Sequence, residues 1–283
     1  MKLPISAIIL TYNEEIHIER LLKNIAGFAD EVFIVDSYST DKTLEIAEKY
    51  GAKIIQHPFE NQAQQFNWAL DNLDIKNEWV LRLDADEYLT EELKSEINKA
   101  LEEKFSSINI NGYFIKRRVY FMGRWIKHGG YYPTWILRLF RKGKARSEER
   151  QMDEHIVLLD GKAEELKNDF VDDNKKNLEA WIERQNRYSS READQILNPQ
   201  KAGEKAERLG GPATDRRKMK NFYLKMPLFW RSFFYFIYRY FFRLGFLDGK
   251  EGLIFHFLQG FWYRFLADAK VYEAEKKLEN KKI

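Results

Sequence analysis

Val80 to Leu93 reads VLRLDADEYLTEEL. An apolar run, Trp79, Val80, Leu81 and Leu83, interrupted only by Arg82, delivers Asp84, Asp86 and Glu87 almost on top of one another. Carboxylates this close repel, so something must balance them. A hard divalent cation is one answer. Mg2+ and Mn2+ prefer oxygen ligands, and Mg2+ typically takes one or two carboxylates with substrate phosphates. Asp84-x-Asp86 therefore reads as a clamp for Mg2+ or Mn2+ and a diphosphate. The plainer reading is that Asp84 caps the next turn and Glu87 is solvated. An isolated DxD favours that reading, and the surrounding sequence reverses it.

Upstream, strand and helix patterns alternate. ISAIIL (Ile5 to Leu10) reads as a buried strand. NEEIHIERLLKNIAGF places Ile16, Ile18, Leu21, Leu22 and Ile25 largely on one helical face and stops at Gly27. EVFIVD is a second strand, and STDKTLEIAEKYG a helix opening on a Ser/Thr/Asp cap and closing on Gly51. AKIIQHP, NQAQQFNWALDNL and EWVLRLD follow as strand, helix and strand. The pattern predicts an α/β fold, Rossmann-like, with a mostly parallel sheet and flanking helices. Such sheets bind ligands beyond the carboxyl ends of their strands. Thr11-Tyr12-Asn13, Asp36 and Asp84-Ala85-Asp86 all occupy strand ends and are expected to converge.

Downstream, GYFIKRRVYFMG and WILRLFRKGKAR look like strands, the latter leading to a basic turn, and MDEHIVLLDG like an acidic turn entering a strand. A helix is expected from Asn177 to about Ile196. Residues 199–218 are polar, charged and Gly-bearing, as a linker would be. The expected division is a catalytic domain over 1–198, a flexible loop or linker over 199–218, and a C-terminal aromatic helical region over 219–283.

With 283 residues, 44% hydrophobic and 15% aromatic, the chain can bury a large core. Its net charge of +3 does not point to nucleic acid. The absence of cysteine excludes disulfides and thiolate metal sites and fits a cytoplasmic location. The apolar run near the N-terminus is too short for a signal peptide, which again suggests a non-secreted protein.

AIILTYNEE, VDSYSTDKT and NEWVLRLDADE, in this order, resemble the three nucleotide-sugar motifs of GT-A fold, family 2 inverting glycosyltransferases. HGGYYPTWILRLFRKGKAR, DEHIVLLDG and GFLDGKEGLIF resemble the subgroup containing lipopolysaccharide-core glucosyltransferases. The resemblance implies a nucleotide-sugar donor, a UDP-hexose in the first instance, and a glycan or lipid-linked acceptor. It implies that Thr11, Tyr12 and Asn13 line the donor, with Tyr12 near the nucleobase and Asp36 at base or ribose. Ser37 takes the place of a second acid common in the family, so a contact made by that acid weakens or moves. Asp84, Ala85 and Asp86 would meet the diphosphate and metal, Asp86 being the direct ligand. Phe66 stands where many members carry a basic residue. Inverting transfer also needs a carboxylate that removes the acceptor hydroxyl's proton. QMDEHIV offers Asp153 and Glu154, and the resemblance favours Glu154.

His17 and His57 read as surface or packing residues. His155 reads as site support or an ordinary structural histidine, and His128 with Gly129-Gly130 as lining for acceptor or diphosphate. Arg138, Arg141, Lys142, Lys144 and Arg146 form either a basic face for an anionic acceptor or a solvated turn.

Asn221 to Phe265 holds 19 of the chain's 43 aromatics. At 100° per residue, Lys225, Arg231, Arg239 and Arg243 share one sector of a helix whose remaining face is apolar. Three arginines make a spanning helix costly. The pattern predicts peripheral contact of 219–265 with the inner face of the plasma membrane, the cationic sector meeting anionic lipid. Packing against protein, or in a homo-oligomer, is the alternative. Competing enzyme classes fit less well. An aspartyl phosphohydrolase usually has Thr or Val where Tyr88 stands, and a sugar nucleotidyltransferase wants a Gly-rich basic loop where LTYNEE stands. A silent membrane module would need no DxD.

Overall fold

The computed structural model describes residues 2–103, 109–148, 155–198, 219 and 222–280. They form two compact units, the first made of 2–103, 109–120, 133–148 and 155–175.

In the first unit, β1 (Leu3–Thr11), β2 (Ala29–Asp36), β3 (Lys53–Gln56) and β4 (Trp79–Asp84) pair in parallel in the order β3-β2-β1-β4. Along β1, Ile5, Ala7 and Ile9 enter one core and Ile8 the other. Both faces are buried, as expected for parallel strands that read as continuous apolar runs. α1 (Ile18–Ile25) covers the first face with Ile18, Leu21, Leu22 and Ile25, the stripe predicted from its spacing. α2 (Thr43–Lys49) adds Ala47 to the same core, and α3 (Gln62–Asn72) covers the opposite face with Phe66 and Ala69. Asn61 caps α3, its side chain accepting from the Gln64 amide.

Beyond β4 the sheet becomes mixed. β5 (Glu87–Leu89) and α4 (Glu91–Glu103) follow directly, and Thr90 caps α4 by accepting from the Leu93 amide. β6 (Ile110–Phe121) is followed by the short β7 (Arg124–Trp125). β8 (Trp135–Arg141) lies antiparallel to β4 and β6. β9 (Ala145–Ser147) and β10 (Ile156–Leu158) form a separate hairpin. β11 (Lys162–Asp173) runs parallel to β6 and carries β5 antiparallel on its far edge.

The second unit takes 121–132, 176–198, 219 and 222–280. The boundary expected at 198 therefore falls after Lys175, because α5 (Leu178–Leu197) packs with the C-terminal helix. Lys270 Nζ donates to the Asn186 carbonyl (2.9 Å), its side-chain oxygen (2.6 Å) and the hydroxyls of Ser189 and Ser190 (both 2.8 Å). The predicted linker 199–218 lies outside the described residues. α6 (Trp230–Ile237) passes into a π-helical turn at Tyr238–Phe242, and the chain reverses at Leu244 in the left-handed region. A 3-10 turn (Gly245–Asp248), α7 (Gly249–Phe255), a second π stretch (His256–Trp262) and α8 (Tyr263–Asn280) complete the unit.

The expected cationic face of the tail is turned inward at two of its four positions. Arg231, 2% exposed, is ion-paired with the buried Asp268 (Nε at 2.8 Å, Nη2 at 2.5 Å). Arg239 is also buried. It donates to the Gly129 carbonyl and the Tyr235 hydroxyl and stacks over Tyr131 at 3.9 Å. Lys225 and Arg243 lie outside α6, one before it and one beyond the π turn, and both are exposed, so the single helix on which the phase count groups the four cations does not form. Among the described residues no helix is long and apolar enough to cross a membrane.

Candidate active site

Three strands deliver the site. Thr11 is in register with Asp36 and Leu10 with Asp84, so the loops after β2, β1 and β4 start side by side. Thr11 Oγ1 donates to Asp36 Oδ1 (2.9 Å), and the Ser39 hydroxyl (2.5 Å) and amide (2.8 Å) donate to the same carboxylate. Asp36 is fully buried, and these bonds fasten the two loops together. Asn13 adopts φ +53°, which asparagine tolerates. Its amide donates to Ser39 Oγ, and its side-chain oxygen accepts from the Thr40 amide, both at 2.8 Å. The Ser37 amide donates to the Thr11 carbonyl (2.9 Å) and its hydroxyl accepts from Gln65 (3.3 Å). These bonds leave Tyr12 (58%) and Tyr38 (53%) exposed on the two tied loops. Tyr38, also at positive φ, lies within VDSYSTDKT at a position to which the resemblance assigns no role.

The crowding of carboxylates has a protein answer as well as a metal one. Arg138, buried on β8, donates to Asp84 Oδ2 (3.1 Å) and Glu87 Oε1 (2.5 Å). Arg82 lies 3.7 Å from Asp84 Oδ1, and the Asp84 amide donates to Glu87 Oε2 (2.9 Å). Burial would raise the Asp84 carboxyl, but Arg138 and Arg82 outweigh it and hold Asp84 at about 2. Burial pushes Glu87 well up, further than Arg138 pulls it down, and the charge of Asp84 adds to the rise. The rest of the basic run is engaged too. Arg141 pairs with Glu78, Lys144 with Asp160 (2.7 Å) and Arg146 with Asp71 (2.7 and 2.9 Å), while Lys142 reaches the Ile75 carbonyl.

Asp86 differs. Its Oδ2 accepts from Asn174 (2.7 Å), and its Oδ1 has no partner among the described residues. Its backbone carbonyl accepts from Arg20 (2.9 Å) and from the Asp173 amide (3.1 Å). Arg20 also grips Asp173 Oδ2 (2.8 Å). His17, fully buried between Glu14 (2.6 Å) and the Lys175 amide (2.8 Å), pins the same segment. A held carboxylate with one open oxygen fits a divalent cation that brings its remaining ligands from a diphosphate and water. No group of three or more acidic, histidine or cysteine side chains forms a complete cage among the described residues.

Phe66 is fully buried in the core edge-on to Phe140, beneath the Arg82 guanidinium. The next residue, Asn67, pairs its amide with both backbone groups of Ser147 at 2.9 Å and so anchors the β9–β10 hairpin. Asp153 and Glu154 lie outside the described residues. At the loop end of that hairpin the Glu148 amide donates to the His155 carbonyl (2.9 Å). His57 stacks on Trp68 at 4.0 Å. His128 belongs to the second unit, where its ring meets Asp248 at 2.6 Å.

The model of the family described as glycosyl transferase family 2 matches residues 6–158, which spans more than half the chain and includes every strand end above. The chain belongs to glycosyl transferase family 2. A Rickettsia felis protein described as an uncharacterized glycosyltransferase is 30% identical over 98% of this glycosyltransferase and 92% of its own length. One from Rickettsia bellii reaches 45% over 109 residues, 38% of this chain but 35% of the relative. The lipopolysaccharide core biosynthesis glycosyltransferase LpsC of Rhizobium meliloti is 28% identical over 96% of this chain and 93% of its own. Among solved structures, the mannosyltransferase PcManGT of Pyrobaculum calidifontis, in complex with GDP-Man and Mn2+, superposes with a TM-score of 0.54. It is 17% identical and covers 95% of this chain and 87% of its own. That likeness shows a shared GT-A-type fold, which in this glycosyltransferase is joined to a C-terminal helical region rich in aromatics.

Proposed function

We propose that this family 2 glycosyltransferase moves a hexosyl group from a nucleoside-diphosphate sugar, a UDP-hexose in the first instance, to a glycan or lipid-linked acceptor of cell-envelope polysaccharide or lipopolysaccharide. The transfer inverts the anomeric carbon. The observation that carries the reading is Asp86, held by Asn174 with one oxygen open, beside three converging strand ends. The name of LpsC and the GDP-Man and Mn2+ held by the Pyrobaculum enzyme support the acceptor and donor classes. The lack of cysteine suits the cytoplasmic face of the plasma membrane.

Asp86 would hold Mg2+ or Mn2+, with Asp84 behind it. When bound, such an ion neutralises charge developing on the departing diphosphate. Thr11, Tyr12, Asn13, Ser37 and Ala85 form the walls of the donor crevice, Tyr12 offering an exposed ring to a nucleobase. Asp36 holds the crevice in shape. Glu154, or Asp153 beside it, takes the proton of the acceptor hydroxyl. The acceptor oxygen then bonds to the anomeric carbon from the face opposite the leaving diphosphate.

A donor panel assayed for nucleotide-sugar hydrolysis with and without Mn2+ names the sugar. Calorimetry with UDP and Mn2+ tests the clamp: Asp86→Ala should lose Mn2+-dependent binding and keep its circular dichroism. Unchanged affinity would overturn the assignment.

A further inference from the structure

The second unit shows an aromatic surface that its own core does not use. On α6, Trp230 (62% exposed), Phe233 and Phe234 point outward, opposite Arg231 and Ser232. Phe241, Phe242 (75% exposed), Leu244, Phe246 and Leu247 continue this exposure around the reversal. Leu253, Phe257 and Phe265 add to it from the next helices, joined by ring contacts of Phe236 with Phe257 (6.1 Å) and of Phe229 with Phe265 (5.0 Å). Folded proteins seldom leave so many large rings wet without a partner.

Charge selects the partner. Between Met219 and Phe265 there are seven Lys and Arg against two acids, and one of the acids, Asp248, is buried. Arg243 and Lys250 are exposed within the aromatic reversal. Arg124, also exposed, donates to the Leu247 carbonyl (3.3 Å), and exposed Lys127 precedes His128, whose amide donates to Asp248 (2.9 Å). A second copy would bring these cations against their own kind.

We infer that the Trp230–Leu247 surface, collared by Arg124, Lys127, Arg243 and Lys250, seats the protein in the interface of an anionic lipid bilayer. The apolar side chains that enter lipid are those turned away from Arg231 and Arg239, so contact runs through aromatic insertion and a separate basic rim. The inference rests on this surface alone and not on the transfer reaction.

Flotation of the full chain with phosphatidylglycerol-containing and with pure phosphatidylcholine vesicles tests it. Intact protein should float with the anionic vesicles, less with the neutral ones, and less again at high salt. Trp230→Ser/Phe241→Ser/Phe242→Ser should stay in the soluble fraction with both, its circular dichroism and donor hydrolysis unchanged. Replacing any one rim cation by Gln should lower partition to anionic vesicles by roughly fivefold. Arg231→Gln should leave the preference for anionic lipid unchanged. Intact protein that stays soluble with both vesicles would overturn the inference, as would a triple aromatic variant that floats normally. So would a dimer in solution that dissociates only in the aromatic variant, since the occupant would then be a second copy.

Discussion

Arg138 lets a repulsive trio of acids sit together at one strand end. It stands between Asp84 and Glu87, so one guanidinium keeps two carboxylates close while Asp86 remains open. Removing it strands buried charge. Arg138→Met should destabilise the fold by about 3–5 kcal/mol, the usual cost of breaking a buried pair. Urea unfolding measures this, and adding Glu87→Met should recover part of the loss. Asn174 is a milder case, since it orients Asp86 without carrying charge. Asn174→Ala should weaken Mn2+-dependent nucleotide binding by about 10–100-fold, the usual range for groups behind a ligand. Its melting temperature should stay near that of the unaltered protein. For the base, Glu154→Gln should slow transfer by roughly 10²-fold or more while donor binding persists. An active Glu154→Gln with an inactive Asp153→Asn would move the role to Asp153.

At the scale of elements, the loop after β7 packs on the turn that opens α7. Gly129 has φ +66°, and a Cβ there would run into the His256 ring. Gly129→Ala therefore meets both backbone strain and a clash with a fully buried side chain. Thermal unfolding should reveal a loss of about 1–3 kcal/mol, the scale of strained backbone conformations. The same substitution at Gly123, where a Cβ meets nothing, tests positive φ alone and should cost less. In the first unit, Asn67 does the work of a strand for Ser147. Asn67→Ala should speed hydrogen exchange at the Ser147 amide and leave that of β1 unchanged.

For the molecule as a whole, acid should act through the second unit. His256 is fully buried, and that burial lowers its pKa, with the Arg239 and His128 charges helping and Asp248, 3.6 Å away, opposing. The folded chain thus resists a proton that the unfolded chain accepts, so stability falls as pH drops through the ordinary histidine range near 6.5. Burial raises Asp248, but the nearby His256 ring and the bonds from the His128 ring and amide outweigh it and hold Asp248 below its ordinary value, so its own contribution is lost only near pH 4 and under. Glu87, pushed up by burial, acts in the opposite sense, so the test is a difference: between pH 7 and pH 5 the melting temperature of His256→Gln should fall less, or rise more, than that of the unaltered protein.

The strand ends were readable from sequence because alternating apolar runs fix the parallel order and its carboxyl edge. Arg138 was visible only as one member of a basic run, since its partners sit 54 and 51 positions away. β11 was hidden because KAEELKNDFVDD is too charged to look like a strand, and with it went Asp173 and Asn174, the brace of Asp86. In the tail, periodicity collected four cations on one side and could not tell lipid from Asp268. The Arg231–Asp268 pair has a last consequence, for any attempt to study the tail as a synthetic peptide. A peptide spanning 222–247 lacks Asp268, which holds Arg231, and Gly129 and Tyr131, which hold Arg239, and would release both buried arginines, becoming the simple amphipathic helix that its periodicity describes. Peptide and protein should then show different salt slopes on the same anionic vesicles, the peptide's being steeper. The fragment would report faithfully on its composition and misreport the molecule it came from.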